Sequence, residues 1–231
     1  MQGLTLEVPC GEICVMLGPN GAGKSTTIKM LTGLLAPTSG EAHVAGLDVT
    51  SSSKELKSRI GVLPENLGLF DDLTVEEHLW LTGRIYGLGS NEVRSRAEQL
   101  LQTLDLDHGR HTFAASCSHG MRKKTAFAMA LLPNPQVLFL DEPFEAVDPV
   151  ASRTIEAILV MMARRGVTVF VTTHVLPVAE RLADRLVIVR EGRVVWNEAK
   201  KDLPRPLEEH YFSLVPAPMP EDLPWLGSSQ S

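Results

Sequence analysis

Three features of the 231-residue chain predict an α/β fold, a mainly parallel sheet core that carries an inserted helical subdomain. Short runs such as Ile13 to Leu17 and Val137 to Leu140 are apolar at every position, the pattern of strands covered on both faces. A glycine-rich turn joins the first of these runs to a helical pattern from Ser25 to Leu35. Between Glu65 and Ser118 the period changes, and amphipathic helices take over from buried strands.

The turn comprises Gly18, Pro19, Asn20, Gly21, Ala22, Gly23, Lys24, Ser25 and Thr26, which fill every position of the pattern GxxxxGK[ST]. Strand, loop and helix in this order make the chain a P-loop NTPase by pattern and predict a nucleoside triphosphate site. Glycines at 18, 21 and 23 let backbone N–H groups turn inward around the β- and γ-phosphates, and the helix N-terminus adds partial positive charge. Lys24 supplies a full charge. Ser25 is positioned to offer its hydroxyl to Mg²⁺, with Thr26 one step further along.

Before the loop, Gly3 to Val8 alternates and reads as a strand with no partner ahead of it. In the helical insertion, Thr74 to Tyr86 and Glu92 to Leu104 are separated by the turn-rich Gly87 to Asn91. Thr74 and Glu77 have capping-box spacing. Phe70, Trp80 and Tyr86 serve either as core, expected for at least two of them, or as apolar docking contacts. A helix from Met121 to Leu132 precedes the strand that ends in Asp141 and Glu142, an acidic pair suited to holding Mg²⁺ through water and polarising an attacking water. A further apolar strand ends at Val171-Thr172-Thr173-His174, followed by a helix from Val175 to Arg185. Leu186 to Arg190 and Arg193 to Trp196 form a closing hairpin around Glu191-Gly192. A short helix is expected at Leu207 to Val215, and the last dozen or so residues of the Pro-rich tail are expected to be disordered.

Composition narrows the partners. A net charge of −6 argues against a general nucleic-acid surface. The cluster Arg122-Lys123-Lys124 is either a solvated helix face or a local contact patch. Cysteines at 10, 14 and 117 have neither disulfide-framework nor zinc spacing and read as buried or inert thiols in a reducing compartment. No apolar run approaches the roughly 20 residues that span a bilayer, and no signal-peptide pattern opens the chain. A cytosolic location, or one on the cytosolic face of a membrane, is therefore expected.

With these motifs in place, the chain resembles the ATP-binding cassette family from about Leu4 to Val195. Cys117-Ser118-His119-Gly120-Met121 stands where that family has its LSGGQ signature; Ser118 and Gly120 match, whereas Cys117, His119 and Met121 depart. The resemblance implies a head-to-tail dimer in which Ser118, His119 and Gly120 cap the γ-phosphate of ATP held by the other subunit. His119, titrating near neutrality, either faces that phosphate and makes activity pH-dependent or points to solvent. Ile60 to Glu65 occupies the place of a strand and glutamine loop, with Glu65 replacing glutamine. A carboxylate there still ligates Mg²⁺ but adds charge beside the triphosphate. The same replacement resembles the ATPases of ABC-2 type exporters. Phe144 to Pro149 resembles the D-loop, with Asp148 communicating between the two sites, and His174 matches the switch histidine that contacts γ-phosphate.

The resemblance implies an ATPase subunit with ATP and Mg²⁺ as ligands and Lys24, Glu142 and His174 as catalytic residues. Ser25, Asp141 and Glu65 attend the metal. Residues 1–202 form the ATPase domain, with the helical subdomain at about 66–132, and 203–231 form the short helix and tail. Expected partners are a membrane-spanning permease subunit, docked on the helical subdomain, and a second cassette as homodimer or heterodimer, with no nucleic acid. The expected location is peripheral, on the cytoplasmic face of the membrane. The alternatives are a nucleotide-sensing cassette with little turnover and a soluble cassette ATPase outside transport.

Cassettes of this kind usually stack adenine on an aromatic ring well upstream of the phosphate loop. Here 17 residues precede the loop, and the first aromatic residue is Phe70. Loss of such stacking, worth roughly 1 to 3 kcal/mol per base in nucleic-acid complexes, would leave affinity to the triphosphate contacts. A late start or shortened amino terminus is the expectation that follows.

Overall fold

The computed structural model describes residues 1–216, so the expected disordered tail lies outside the described residues. Six strands form one sheet in the order β4-β5-β6-β1-β7-β8. They are β1 Ile13–Leu17, β4 Ile60–Leu63, β5 Val137–Asp141, β6 Thr168–Thr173, β7 Arg185–Arg190 and β8 Arg193–Ala199. The first five in spatial order are parallel, and β8 closes the edge antiparallel to β7. A small hairpin joins β2 His43–Val44 to β3 Leu47–Asp48 through Ala45 and Gly46, both at positive φ, the two-residue turn whose twist suits a hairpin.

The faces of β1 explain how the sheet is covered. Ile13, Val15 and Leu17 enter one apolar cluster, while Cys14 and Met16 enter another. The second cluster takes Ile28 of α1 Lys24–Leu31 and Leu56 of α2 Ser53–Arg59. The first takes Leu79 of α3 Val75–Ile85, Leu101 of α4 Ser90–Thr103 and Phe127 of α5 His119–Leu131. It also takes Ile155 of α6 Pro149–Arg164, Ala179 of α7 Leu176–Leu182 and Leu207 of α8 Leu207–Leu214. Helices on both faces account for strands that are apolar at every position.

Helices α3, α4 and α5 make up the inserted helical layer. The capping box forms as its spacing predicts: the Glu77 N–H donates to Thr74 Oγ1 at 3.2 Å, and the Thr74 N–H to Glu77 Oε2 at 2.8 Å. Trp80 and Tyr86 are half-buried, and Phe70 is exposed. Helix α5 leans on β4 at Gly61, where a Cβ would meet the Ala130 carbonyl at 2.2 Å, so a side chain there would push the helix away.

Several sequence expectations are corrected. Gly3 to Val8 forms no strand and pairs with none; its alternation survives as half-buried Leu4, Leu6 and Val8 between exposed neighbours. Helix α1 stops at Leu31 rather than Leu35, ahead of Gly33 at φ 70°. Helix α5 starts at His119 rather than Met121, because Ser118 Oγ accepts from the Met121 N–H at 3.2 Å and caps it. Helix α7 runs only from Leu176 to Leu182, and β8 continues to Ala199. The Arg122-Lys123-Lys124 cluster is not a solvated face: Lys123 is 2% and Lys124 8% exposed. Lys124 donates to the Asp105 carbonyl at 3.0 Å, and Arg122 to the Ala114 carbonyl at 2.7 Å. Cys10 is exposed rather than buried; burial pushes the Cys14 thiol up to about 12, which leaves it inert.

Candidate functional site

The parallel strands bring the sequence motifs to one edge of the sheet. Register pairs Leu17 with Thr173, Asp141 with Thr172 and Leu63 with Leu140, so these strand ends lie level with one another. The phosphate loop leaves β1 there, Glu65 follows β4, Asp141 and Glu142 end β5, and His174 follows β6. An open α/β sheet offers its crevice at this carboxyl edge. A 340 Å³ pocket lies here, with Asn20, Gly21, Gly23 and the first turn of α1 on one side. Glu65, Glu142, Glu145 and His174 line the other.

Gly21 and Gly23 sit at φ 79° and 103°, backbone that side-chain-bearing residues resist, and this lets the loop curl ahead of α1. Lys24, 6% exposed, donates from Nζ to the Gly18 carbonyl at 2.8 Å and the Pro19 carbonyl at 3.3 Å. Its ammonium also lies 3.2 Å from Glu142 Oε1. The other carboxylate oxygen, Glu142 Oε2, lies 3.1 Å from His174 Nδ1. Glu142 thus stands between a fixed cation and a half-exposed imidazole.

The backbone at Glu142 is left-handed, φ 47°, an uncommon conformation for a residue with a side chain. Thr172 holds it: the Glu142 N–H reaches the Thr172 carbonyl at 3.1 Å and its Oγ1 at 3.2 Å. The Thr172 hydroxyl, fully buried, also donates to Asp141 Oδ1. One threonine therefore orients both acids, a role the sequence reading missed; the paired threonines before His174 were its only trace.

The oxygen-rich set of Ser25, Asp141 and Glu65 suits Mg²⁺, which takes one or two carboxylates together with water and substrate phosphates. Among the described residues no three His, Cys, Asp or Glu side chains converge into a metal cage. Glu142 Oε1 is buried and makes no hydrogen bond, although Lys24 lies close; its charge contact lacks hydrogen-bond alignment. The polar cradle thus has capacity for a further ligand.

Other sequence-derived site residues lie elsewhere. Ala22 is buried beneath the loop. Ser118, His119 and Gly120 do not line the pocket; they open α5, with Ser118 and His119 exposed. Gly120 lies against the Ala146 carbonyl, to which a Cβ on it would approach within 3.8 Å. Asp148 caps α6, its Oδ1 accepting from the Val150 and Ala151 N–H groups at 2.9 Å each, and these bonds hold its carboxyl below the usual range. Among the described residues no Phe, Tyr or Trp lines the pocket.

A family model described as ABC transporter matches residues 1–145, from the amino terminus through the phosphate loop to the acidic pair. The chain belongs to the ABC transporter family. It is similar to the daunorubicin/doxorubicin resistance ATP-binding protein DrrA of Streptomyces peucetius, 39% identical over 93% of this chain and 65% of that protein. It is also similar to the human phospholipid-transporting ATPase ABCA7, 39% identical over 95% of this chain and 10% of the relative. The chain thus spans about a tenth of the long human relative and just under two thirds of the bacterial one. Among solved structures, an ATP-binding subunit of an ABC transporter superposes with TM-score 0.84 and 33% identity over 89% of each chain. The ATP-binding cassette MJ0796, dimeric and bound to ADP and Pi in a post-hydrolysis state, superposes with TM-score 0.77 and 27% identity, over 84% of this chain and 88% of that one. The fold is that of the ABC ATPase cassettes. No helix of the described residues is long and apolar enough to cross a membrane.

Proposed function

We propose that this chain binds Mg-ATP and hydrolyses it in a head-to-tail dimer of cassettes, and that the cycle powers an ABC-2 type exporter. The observation that carries the reading is the placement of Glu142, pinned by Thr172 and set between Lys24 and His174 at the mouth of the phosphate loop. The loop N–H groups and Lys24 hold the triphosphate, and Glu142 accepts a proton from the attacking water as general base. His174, beside the same carboxylate, is placed to contact the γ-phosphate. Ser25 and Asp141, with Glu65 nearby, would hold Mg²⁺, which neutralises phosphate charge when bound.

Ser118, His119 and Gly120 act on the nucleotide of the other cassette; their position outside the pocket of their own chain supports this. The positive end of α5 points the same way, since its first turn carries no acid. Asp148 links the two sites. The partner cassette is a second copy or a related chain. The helical layer α3–α5 receives a membrane-spanning permease on the cytoplasmic face, a reading supported by the similarity to transport proteins.

Steady-state hydrolysis across a range of protein concentrations tests this, with Glu142→Gln beside the parent. Turnover that rises faster than linearly with protein and vanishes in the variant is the expected result. Turnover strictly proportional to protein would remove the dimer, and unchanged turnover in Glu142→Gln would remove the assigned base.

A further inference from the structure

Two of the residues that depart from the family signature turn inward. Cys117 and Met121 are half-buried against the main apolar cluster, and Met121 lies so close to Gly109 that a Cβ there would meet its Cε at 2.4 Å. Ser118 and His119, between them, are left exposed. The segment proposed to reach the partner cassette is therefore anchored at both ends and open at its tip. The chain leading into it is anchored as well. The Ala114 N–H donates to the Leu73 carbonyl at 2.9 Å and the Ala115 N–H to the Asp71 carbonyl at 3.2 Å, and Phe113 bridges to Thr74. Residues 113–115 thus lie along residues 71–74.

Arg122 closes this arrangement from α5. Its backbone N–H donates to the Ser118 carbonyl at 2.9 Å, while its side chain turns back to the chain that precedes Ser118. One guanidinium nitrogen, Nη1, donates to the Ala114 carbonyl at 2.7 Å and to Asp71 Oδ1 at 3.2 Å. The pair with exposed Asp71 adds little by itself, whereas the charge-assisted bond to the part-buried carbonyl is the stronger contact. Main-chain satisfaction does not call for that bond: the Ala114 carbonyl already accepts from the Cys117 N–H at 3.2 Å and would keep a partner without Arg122. Nor does helix stability, because a cation near a helix N-terminus opposes the macrodipole. What the guanidinium does supply is a fixed distance between the start of α5 and the residues that lead into it.

We propose that Arg122 is a positioning residue for the segment that acts on the partner cassette: its guanidinium ties the start of α5 to Ala114 and Asp71 and so fixes where Ser118 and His119 stand. The inference rests on the reading of the chain as half of a head-to-tail cassette dimer. Arg122 does not line the pocket of its own chain, so its loss weakens the closed dimer and leaves nucleotide binding by the single chain as it was.

ATP-dependent association gives the test, followed by light scattering in the Glu142→Gln protein, where hydrolysis does not reopen the dimer. Arg122→Met and Arg122→Lys are introduced into that protein. Binding of a fluorescent ATP analogue is measured at protein concentrations too low for association, and thermal unfolding checks that each variant folds. Arg122→Gln replaces Arg122→Met should the latter unfold. The expected result is association about ten-fold weaker in Arg122→Met, unchanged single-chain nucleotide affinity, and recovery of most of the loss in Arg122→Lys, which keeps a charged donor. Parent-like association in folded Arg122→Met would overturn the proposal. So would a matching loss of single-chain nucleotide affinity, or an Arg122→Lys protein no better than Arg122→Met, since either result marks a purely structural role. A Glu142→Gln protein that binds the analogue but never associates would instead overturn the dimer reading, so the two failures are distinguishable.

Discussion

At the residue scale, Thr172 holds the site together. Its hydroxyl and carbonyl touch Asp141 and the Glu142 N–H, so an isosteric Thr172→Val change removes the hydroxyl bonds and leaves a buried carboxylate short of a donor. Turnover in Thr172→Val should fall about 10- to 100-fold, the usual effect of losing an orienting partner, with KM for ATP changing less. Separate kcat and KM measurements check this, and an unchanged kcat would show that Thr172 has no orienting role. The phosphate loop and acidic pair were legible in the sequence because their chemistry demands particular residue types at fixed spacing. Thr172 was not, because its importance comes from strand register, which joins residues far apart in the chain. A run such as Arg122-Lys123-Lys124 looks solvated until the fold turns two of its members inward.

At the element scale, strands and helices with a clear period were recovered, and their ends were set by local bonds that period alone does not report. Helix α6 passed unremarked because only the D-loop at its start was read, although Asp148 and Pro149 form its cap and first turn. Helix α8 offers a pH test. His210 is 6% exposed, its two ring nitrogens have no hydrogen-bond partner, and its ring meets Trp196 edge-on at 5.0 Å. Burial, with Arg205 nearby, pushes its imidazole below the ordinary 6.5. The unfolded chain therefore takes up this proton first as pH falls. Stability present above 6.5 is lost progressively below it, down to the lowered native value. Thermal midpoints at about pH 7.5 and about pH 5.5 should differ more in the parent than in His210→Leu. An equal drop in both would show that His210 does not govern the acid sensitivity of this helix.

At the scale of the whole molecule, the level strand ends make the sheet a frame that brings four separated segments to one edge. That frame was predictable in class, whereas the strand order β4-β5-β6-β1-β7-β8 was not, because nothing in a strand's own residues names its neighbours. The left-handed turn at Glu142 has a consequence for the molecule as a whole. Along a strand, adjacent side chains have opposite parity, and an Asp-Glu pair should diverge to the two faces of the sheet. The dihedral angle at 142 breaks this parity and turns the second acid toward Lys24 and His174. Glycine would adopt that angle with less tension, so Glu142→Gly should unfold at a higher temperature than Glu142→Ala, by about 1 kcal/mol of stability, while neither hydrolyses ATP. A Glu142→Gly protein no more stable than Glu142→Ala would mean that no tension is stored there. The sheet edge thus retains a residue that its backbone would exchange for glycine, and one torsion sets a ceiling on durability in return for a working acid.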